Sequence, residues 1–361
     1  MEVKDYLSKM LDRGASDLYL KIGTPPYFRI DNKLLPAIDK RLKSEDIEAV
    51  LKSILTDAQR RHFDITKELD AAYSLAGVGR FRFNVYMQRN SISITFRSVK
   101  MNIPSFDELN LPKEIMQDLA KQPRGLILIT GYAGSGKSTT LASIIDYMNE
   151  HFEKHIITIE DPIEFLHSDK KSILSQREVG SDTLSFDHAL RHVIRQSPDA
   201  ILIGELRDVA TMQTAIMAAE TGHLVLSTLH TVDAAQTIDR VINFFPPHAH
   251  SQIRMQLSLL LKGVVSQRLV PRVDGAGRVP ACEVMLSTPT VRKMLSEGKT
   301  EQLTRIIEEG RLFGMQTFNQ SLTDWLNKKV ISKESALYYA SNADELALQL
   351  KDIHSGRGEE F

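Results

Sequence analysis

A glycine-rich loop, set between an apolar run and an amphipathic stretch, carries the clearest chemistry in this sequence. LILITGYAGSGKSTTLASIIDYM contains G-x-x-x-x-G-K-S, with Gly131, Gly136, Lys137 and Ser138 at the defining positions. A strand before the loop and a helix after it are the setting in which this spacing binds phosphate. Glycines let the backbone turn so that successive N–H groups converge on anionic oxygens. The helix start adds partial positive charge. The expected contact residues are Gly131, Ala133, Gly134, Ser135, Gly136, Lys137, Ser138 and Thr139. Lys137 is expected to reach the β- and γ-phosphates, and Ser138 to offer its hydroxyl to Mg2+. The loop predicts binding of a nucleoside triphosphate and leaves open what its hydrolysis drives.

Hydrolysis needs a water polarised beside the γ-phosphate and an acid that organises the metal shell. ITIEDPIEF places Glu160, Asp161 and Glu164 around a bend at Pro162. DAILIGELRD places Glu205 after an apolar strand, with Gly204 where a metal-associated aspartate is usual. In an open α/β sheet, ligands bind beyond the C-terminal strand ends, so these carboxylates are expected near the phosphates. Glu160 and Asp161 read equally well as a structural turn or cap, whereas Glu164 and Glu205 are read as functional. The stretch TGHLVLSTLHT (221–231) adds His223 and His230. Seven steps of extended chain separate the two rings by roughly 23 Å and point them to opposite faces, so one metal cannot hold both. His230 falls at the C-terminal strand end, on the phosphate side, where an imidazole can sense γ-phosphate through a hydrogen bond. His223 falls at the opposite end and is assigned a structural or interface role.

The elements that position these groups follow from the hydrophobic pattern. GLILIT, HIITIE, AILIGE and HLVLSTLH are short continuous apolar runs separated by helical segments, the signature of a parallel sheet covered on both faces. The first hundred residues differ. VKDYLSKMLDRG has helical spacing, YFRIDNKLLP reads as a hairpin turning at Asp31-Asn32, and SEDIEAVLKSIL reads as a helix with Ser44 and Ile47 in capping positions. LDAAYSL, GRFRFNVYMQR and SISITFRSV then alternate as an antiparallel meander. The expected organisation is a mixed α+β domain over 1–99, a linker over 100–113, an α/β core over 114–272, and a mostly helical part of the same domain over 273–361.

Composition narrows the class. Of 361 residues, 42% are hydrophobic and 25% charged, which is globular. Forty-five basic against 46 acidic residues lack the excess of a dedicated nucleic-acid binder. Cys282 is the single cysteine, which excludes an internal disulfide and a cysteine-based zinc cluster and fits a reducing compartment. No apolar run reaches membrane-spanning length, and the N-terminus lacks signal-peptide character. A cytoplasmic protein that meets a membrane through a partner is the expectation.

The loop GSGKST with ITIEDPIEF, ILIGELRD and TGHLVLSTLHT, in that order, resembles the Walker A loop, Asp box, atypical Walker B and His box of the type II/IV secretion ATPase superfamily. The resemblance covers essentially the whole chain, and the ordered set is far more specific than any one motif. Within the superfamily the chain resembles type IV pilus retraction ATPases of PilT or PilU type. It lacks the additional domain and four-cysteine insert usual in assembly and secretion ATPases. GMQTFNQSL (314–322) matches the retraction type, and INFFP and SQRLVPR lean toward the PilU side. TVRKMLSE (290–297) matches a segment close to AIRNLIRE at Arg292 and Glu297, with Ser296 in place of an arginine.

The resemblance implies a RecA-like parallel-sheet ATPase core with a helical C-terminal part, preceded by a PAS-like N-terminal domain. It implies ATP and Mg2+ as ligands, Glu164 as the carboxylate that polarises water, and Glu205 with Ser138 at the metal, partly through water. His230 joins them. It implies a homo-hexamer with ATP between subunits, in which Arg82 and Arg97, among Arg80, Arg82, Arg89 and Arg97, are candidates to act on a neighbour's nucleotide. An inner-membrane pilus platform protein and a sister retraction ATPase are the implied partners, with no nucleic acid. A regulatory paralogue, an assembly or secretion ATPase and, more remotely, a RecA-like DNA motor are the alternative readings.

Overall fold

A computed structural model describes residues 2–355 of the chain. Residues up to Asn102, together with Glu164–Leu166, form one compact unit. Its elements are α1 (Val3–Asp12), β1 (Asp17–Lys21), β2 (Tyr27–Ile30), β3 (Lys33–Pro36), α2 (Ser44–Ile54), α3 (Asp57–Thr66), β4 (Glu68–Leu75), β5 (Gly79–Gln88) and β6 (Ser91–Ser98). The strands form one sheet in the order β3-β2-β1-β6-β5-β4, every pair antiparallel. Alternation sorts its side chains by face. Leu18, Leu20, Phe81, Phe83, Ile94 and Phe96 are buried together with Leu7 and Met10 of α1 and Ile47 and Leu51 of α2. The hairpin turns fall at Asp31-Asn32 and Arg89-Asn90, all four with φ between 46° and 62°, as a two-residue hairpin turn requires.

The start of α2 corrects one expectation. Lys43 is the N-cap, and its N–H donates to Asp46 Oδ2 at 2.8 Å. Ser44 is already helical, and Ile47 is a core residue. A carboxylate one turn into the helix is the stronger acceptor and favours the helix dipole, so Asp46 satisfies this end rather than Ser44.

The other unit comprises residues 103–163 and those from His167 onward. Its elements are α4 (Lys113–Ala120), β7 (Gly125–Thr130), α5 (Lys137–His151), β8 (His155–Glu160), β9 (Ile173–Glu178), α6 (Phe186–Val193), β10 (Ala200–Ile203), α7 (Val209–Glu220), β11 (Leu224–Leu229), α8 (Ala234–Asn243), α9 (His250–Leu260), β12 (Leu261–Pro271), β13 (Arg278–Leu286), α10 (Pro289–Glu297), α11 (Leu303–Glu309), α12 (Phe318–Asn327), α13 (Lys333–Tyr339) and α14 (Ala343–Ser355). The sheet order is β13-β12-β7-β11-β10-β8-β9. All pairs are parallel except β12–β13.

The apolar runs of the sequence are the central strands, and each splits its residues between two cores. Leu126 and Leu128 of β7 face one core with α6 to α11. Ile127 and Ile129 face the other with α4 and α5. Burial on both faces explains why these strands carry no polar alternation.

Two boundaries shift from the sequence reading. The 100–113 linker is mostly structured: Phe106 and Leu111 are buried in the core with α4 and α5, and Pro104 O accepts the Ser143 hydroxyl at 2.7 Å. The break falls at 102/103 instead. The division at 272/273 cuts a hairpin, because RVPACEVML (278–286) is β13, paired with β12 from Gly263–Leu286 to Pro271–Arg278. The chain beyond Arg272 is therefore not helical until β13 has closed the sheet edge. The C-terminal helices then pack on the far part of that hairpin, where Val270 and Val279 meet Phe318, Leu322 and Leu346.

Candidate nucleotide site

The phosphate loop joins β7 to α5, where the parallel strands end. Gly131 is obligatory here. It has φ +141°, and a Cβ at this position would lie 2.5 Å from Gln267 O and 2.6 Å from Ser135 Oγ. Gly136 caps α5 in the left-handed region, with φ 93°, which glycine adopts without the steric cost of a side chain. The loop thus wraps tightly against β12 and presents the first turn of α5 outward. Ser138 on that turn is exposed, while Ser135 is buried. The Ser135 hydroxyl has no hydrogen-bond partner among the described residues. A buried hydroxyl with unused capacity, at a helix N-terminus in a glycine cradle, fits a phosphate oxygen.

Lys137 curls back over the loop. Its Nζ donates to Gly131 O at 2.7 Å and Tyr132 O at 2.9 Å. Burial lowers its pKa, and Glu205 opposes that shift. The ammonium also lies 3.4 Å from His230 Nδ1, and His230 Nε2 lies 3.2 Å from Glu205 Oε1. With the ring proton on Nε2, His230 donates to Glu205 and offers its Nδ1 lone pair to Lys137. One imidazole therefore links the cation of the loop to the carboxylate at the end of β10. Glu205 Oε2 also accepts from Arg207 Nε at 2.8 Å.

The parallel register explains the meeting. β11 lies between β7 and β10, so the residue after β11 emerges between the loop after β7 and the turn after β10. Thr228 Oγ1 donates to Gly204 O at 2.7 Å, and Leu206 N donates to Thr228 O at 3.2 Å, which pin the Glu205 turn to the His230 strand. At the other end of β11, His223 Nδ1 approaches Ala218 O at 3.0 Å and closes the end of α7. The two histidines are thus held in different tasks. His230→Ala is expected to lower ATP turnover by about tenfold or more, in the range lost with a positioned proton-transfer group. His223→Ala should leave turnover within about threefold once equal assembly is verified by size-exclusion chromatography. Equal losses at equal assembly would remove the distinction.

The remaining predicted residues have contacts of their own. Glu160 accepts from Thr158 Oγ1 at 2.8 Å and from Gln176 Nε2 at 3.2 Å. Glu164 belongs with the first unit, and its Oε1 pairs with Arg82 Nη2 at 3.1 Å. In that unit, register places Arg82 of β5 directly across from Arg97 of β6. Arg97 lies across from Asp17, which is buried and accepts from Arg97 Nε at 2.8 Å. Arg80 bonds Ser74 at 3.0 Å.

Sequence reasoning missed three supporting groups. Arg207, adjacent in GELRD, holds Glu205. Gln267 of β12 exchanges hydrogen bonds with Thr140 of α5 at 2.9 and 3.1 Å. Glu283 of β13 is buried and accepts the Ala234 N–H that opens α8, at 2.8 Å; burial pushes its carboxyl up to about 7. Glu283 reaches this region only because 278–286 forms β13 beside β12. Beside the loop a cleft of about 580 Å3 runs past Tyr132, Asp233, Arg268 and Tyr339, room enough for the rest of a nucleotide. Arg268 forms one wall, bonded to Tyr339 O at 2.5 Å and stacked 3.7 Å above Phe318. Among the described residues no cluster of three or more His, Cys, Asp or Glu side chains could cage a metal.

Comparisons with known proteins place the chain among relatives. A family model described as "Type II/IV secretion system protein" matches residues 2–343. The type IV pilus ATPase PilU of Pseudomonas aeruginosa is 42% identical over 351 residues, 97% of this chain and 92% of that protein. The type IV pilus retraction ATPase PilT of the same organism is 42% identical over 336 residues, 93% of this chain and 97% of that protein. Among solved structures, the pilus retraction motor PilT with bound ADP superposes with a TM-score of 0.87 at 41% identity, covering 96% of this chain and 99% of that one. The Legionella pneumophila ATPase DotB gives a TM-score of 0.79 at 28% identity, covering 92% and 93%.

Proposed function

The chain belongs to the type II/IV secretion system protein family, and on that premise we propose that it is an ATP-hydrolysing motor that drives retraction of a type IV pilus. The observation that carries the reading is the Lys137–His230–Glu205 connection across the end of the sheet, beside a loop with an unused buried hydroxyl. It links the group that would bind the γ-phosphate to the carboxylate that would help hold the metal. Ser138 and Glu205 would hold Mg2+, which supplies charge neutralisation on the phosphates when bound. Glu164 is the carboxylate assigned to the attacking water. It belongs with the first unit, so reorientation of that unit carries the carboxylate with it.

The working form is a homo-hexamer with nucleotide between subunits, and Arg82 and Arg97 are the arginines assigned to a neighbour's site. The six-stranded antiparallel sheet with its helix-covered apolar face supports a PAS-like reading of the first unit, and the α/β unit supports a RecA-like reading of the second. The break at 102/103 is the natural pivot between two states. The motor acts in the cytoplasm on an inner-membrane platform protein. No helix among the described residues is long and apolar enough to cross a membrane. Equal identity to the PilU and PilT relatives keeps a second reading, an accessory subunit beside a sister motor.

Deleting the gene and imaging the cells tests the function. Surface pili retained with twitching lost is the expected outcome. Loss of the pili themselves would assign the chain to assembly instead. Steady-state ATP turnover by the purified protein separates motor from accessory subunit.

A further inference from the structure

At the end of the sheet opposite the phosphate loop, β7 and β12 begin side by side and a recess of about 370 Å3 opens beside them. Its apolar lining comes from Ile115, Leu119, Leu286 and Phe313, and Lys262 and Arg292 supply positive charge. The lysine is fixed in place by the backbone beneath it. A Cβ at Gly125 would lie 2.5 Å from Lys262 Cε and 2.8 Å from its Cγ, so the stem lies across a residue without a side chain. Burial, then the nearby charges of Arg292 and Arg124, lower the pKa of Lys262. Lys262 and Arg292 thus share one recess. Among the described residues neither of them has an ion pair with a carboxylate, and Asp118, which lines the recess, is engaged by Lys121 at 3.0 Å. The rim is apolar and exposed: Leu259 is 66%, Phe313 67% and Leu312 99% accessible. Met255 lies one turn before Leu259 on α9 and is 54% accessible.

We propose that this recess docks an acidic segment of a partner protein, one that presents carboxylates between large apolar side chains. Lys262 and Arg292 repel one another, and carboxylates seated between them relieve that repulsion while forming charge-assisted hydrogen bonds. Arginine suits this role because its guanidinium grips a carboxylate at two points. Leu259 and Phe313, which line the recess and are exposed, add apolar surface of the kind that marks a protein contact. Nucleic acid needs cations spread along a backbone track, and here the rim is apolar. A membrane-binding face carries its basic groups outside its apolar ones; Lys262 is half-buried while Leu312 and Phe313 stand out. The site also gives a task to TVRKMLSE (290–297), whose Arg292 serves no part of the nucleotide site.

The test uses the full chain without nucleotide, so its outcome is independent of the proposed ATPase function. A fluorescent peptide alternating glutamate with leucine and phenylalanine is titrated by anisotropy. The comparators are its lysine-for-glutamate counterpart, inorganic phosphate and phosphatidylglycerol vesicles. Saturable binding of the acidic peptide alone is expected, weakened at least tenfold in the Lys262→Ala/Arg292→Ala double variant and retained in Lys262→Arg. Melting temperature, oligomer size and basal ATP turnover should be unchanged in all variants. Equal binding by the double variant, failure of the acidic peptide to bind, or binding of phosphate or vesicles alone would overturn the proposal. A change of oligomer size in the double variant would assign the recess to a second copy of this chain and overturn it equally.

Discussion

Lys137→Ala should raise the dissociation constant for ATP about 100-fold or more and, at ordinary assay concentrations, abolish turnover. A charge-assisted hydrogen bond contributes about 1.5–3 kcal/mol, and each 1.4 kcal/mol is about a factor of ten in affinity. Two such bonds to phosphate give roughly 10²–10⁴. The net gain falls toward the lower end because Nζ must leave Gly131 O and Tyr132 O, which it holds at 2.7 and 2.9 Å. Folding is not expected to suffer. Burial already works against this ammonium, with its pKa lowered despite Glu205, and replacing a penalised cation by a methyl group removes that penalty. Calorimetric titration with ATP and a thermal melt of the same sample separate the two effects. An unchanged affinity would take Lys137 out of the site, and a collapsed melt would make the binding loss uninformative. His230→Ala then serves as the complementary variant, because it removes the 3.4 Å contact to Nζ while leaving the ammonium in place.

How much of this was legible in the sequence differs by element, for physical reasons. The phosphate loop was legible because its conformation demands glycine at fixed positions: Gly131 has no room for a Cβ, and Gly136 has a left-handed backbone. The central strands were legible because burial on both faces leaves only apolar residues. The site's assembly was not. Lys137, Glu205 and His230 are far apart in the chain and meet because β11 is inserted between β7 and β10, a strand order that local pattern does not encode. β13 was missed for a related reason. Its nine residues are almost all buried, and a short apolar run between helical segments reads as strand or buried helix until its partner is known. Without it, Glu283 has no connection to the N-terminus of α8, which it caps at 2.8 Å. The linker was misjudged because Pro104 and Pro112 mark irregular backbone. Irregular chain can still be tightly packed, as Phe106 and Leu111 show.

Glu164→Gln should bind ATP within about threefold of the native protein and hydrolyse it about 10²–10⁴ times more slowly, the range supplied by a positioned general base. The amide keeps the size of the side chain and can still accept from Arg82 Nη2, which lies 3.1 Å from Oε1, so the local structure survives while the negative charge proposed to polarise water is lost. Arg82→Ala should also bind ATP and fail to turn it over. What separates their roles is mixing. If Arg82 serves a neighbour's nucleotide, a ring assembled at random from equal amounts of the two variants contains interfaces where an Arg82→Ala subunit supplies its intact Glu164 and the next subunit supplies its intact Arg82. About a quarter of the interfaces are then complete, and turnover should return to about that fraction of the native rate. If Arg82 instead acts by holding Glu164 within its own chain, as the 3.1 Å pair in the first unit allows, every subunit in the mixture is defective and no activity returns. Steady-state turnover across a series of mixing ratios, with assembly verified at each, distinguishes the cases: a bell-shaped dependence with its maximum at equal amounts is expected, and a flat baseline at every ratio would restrict Arg82 to its own chain.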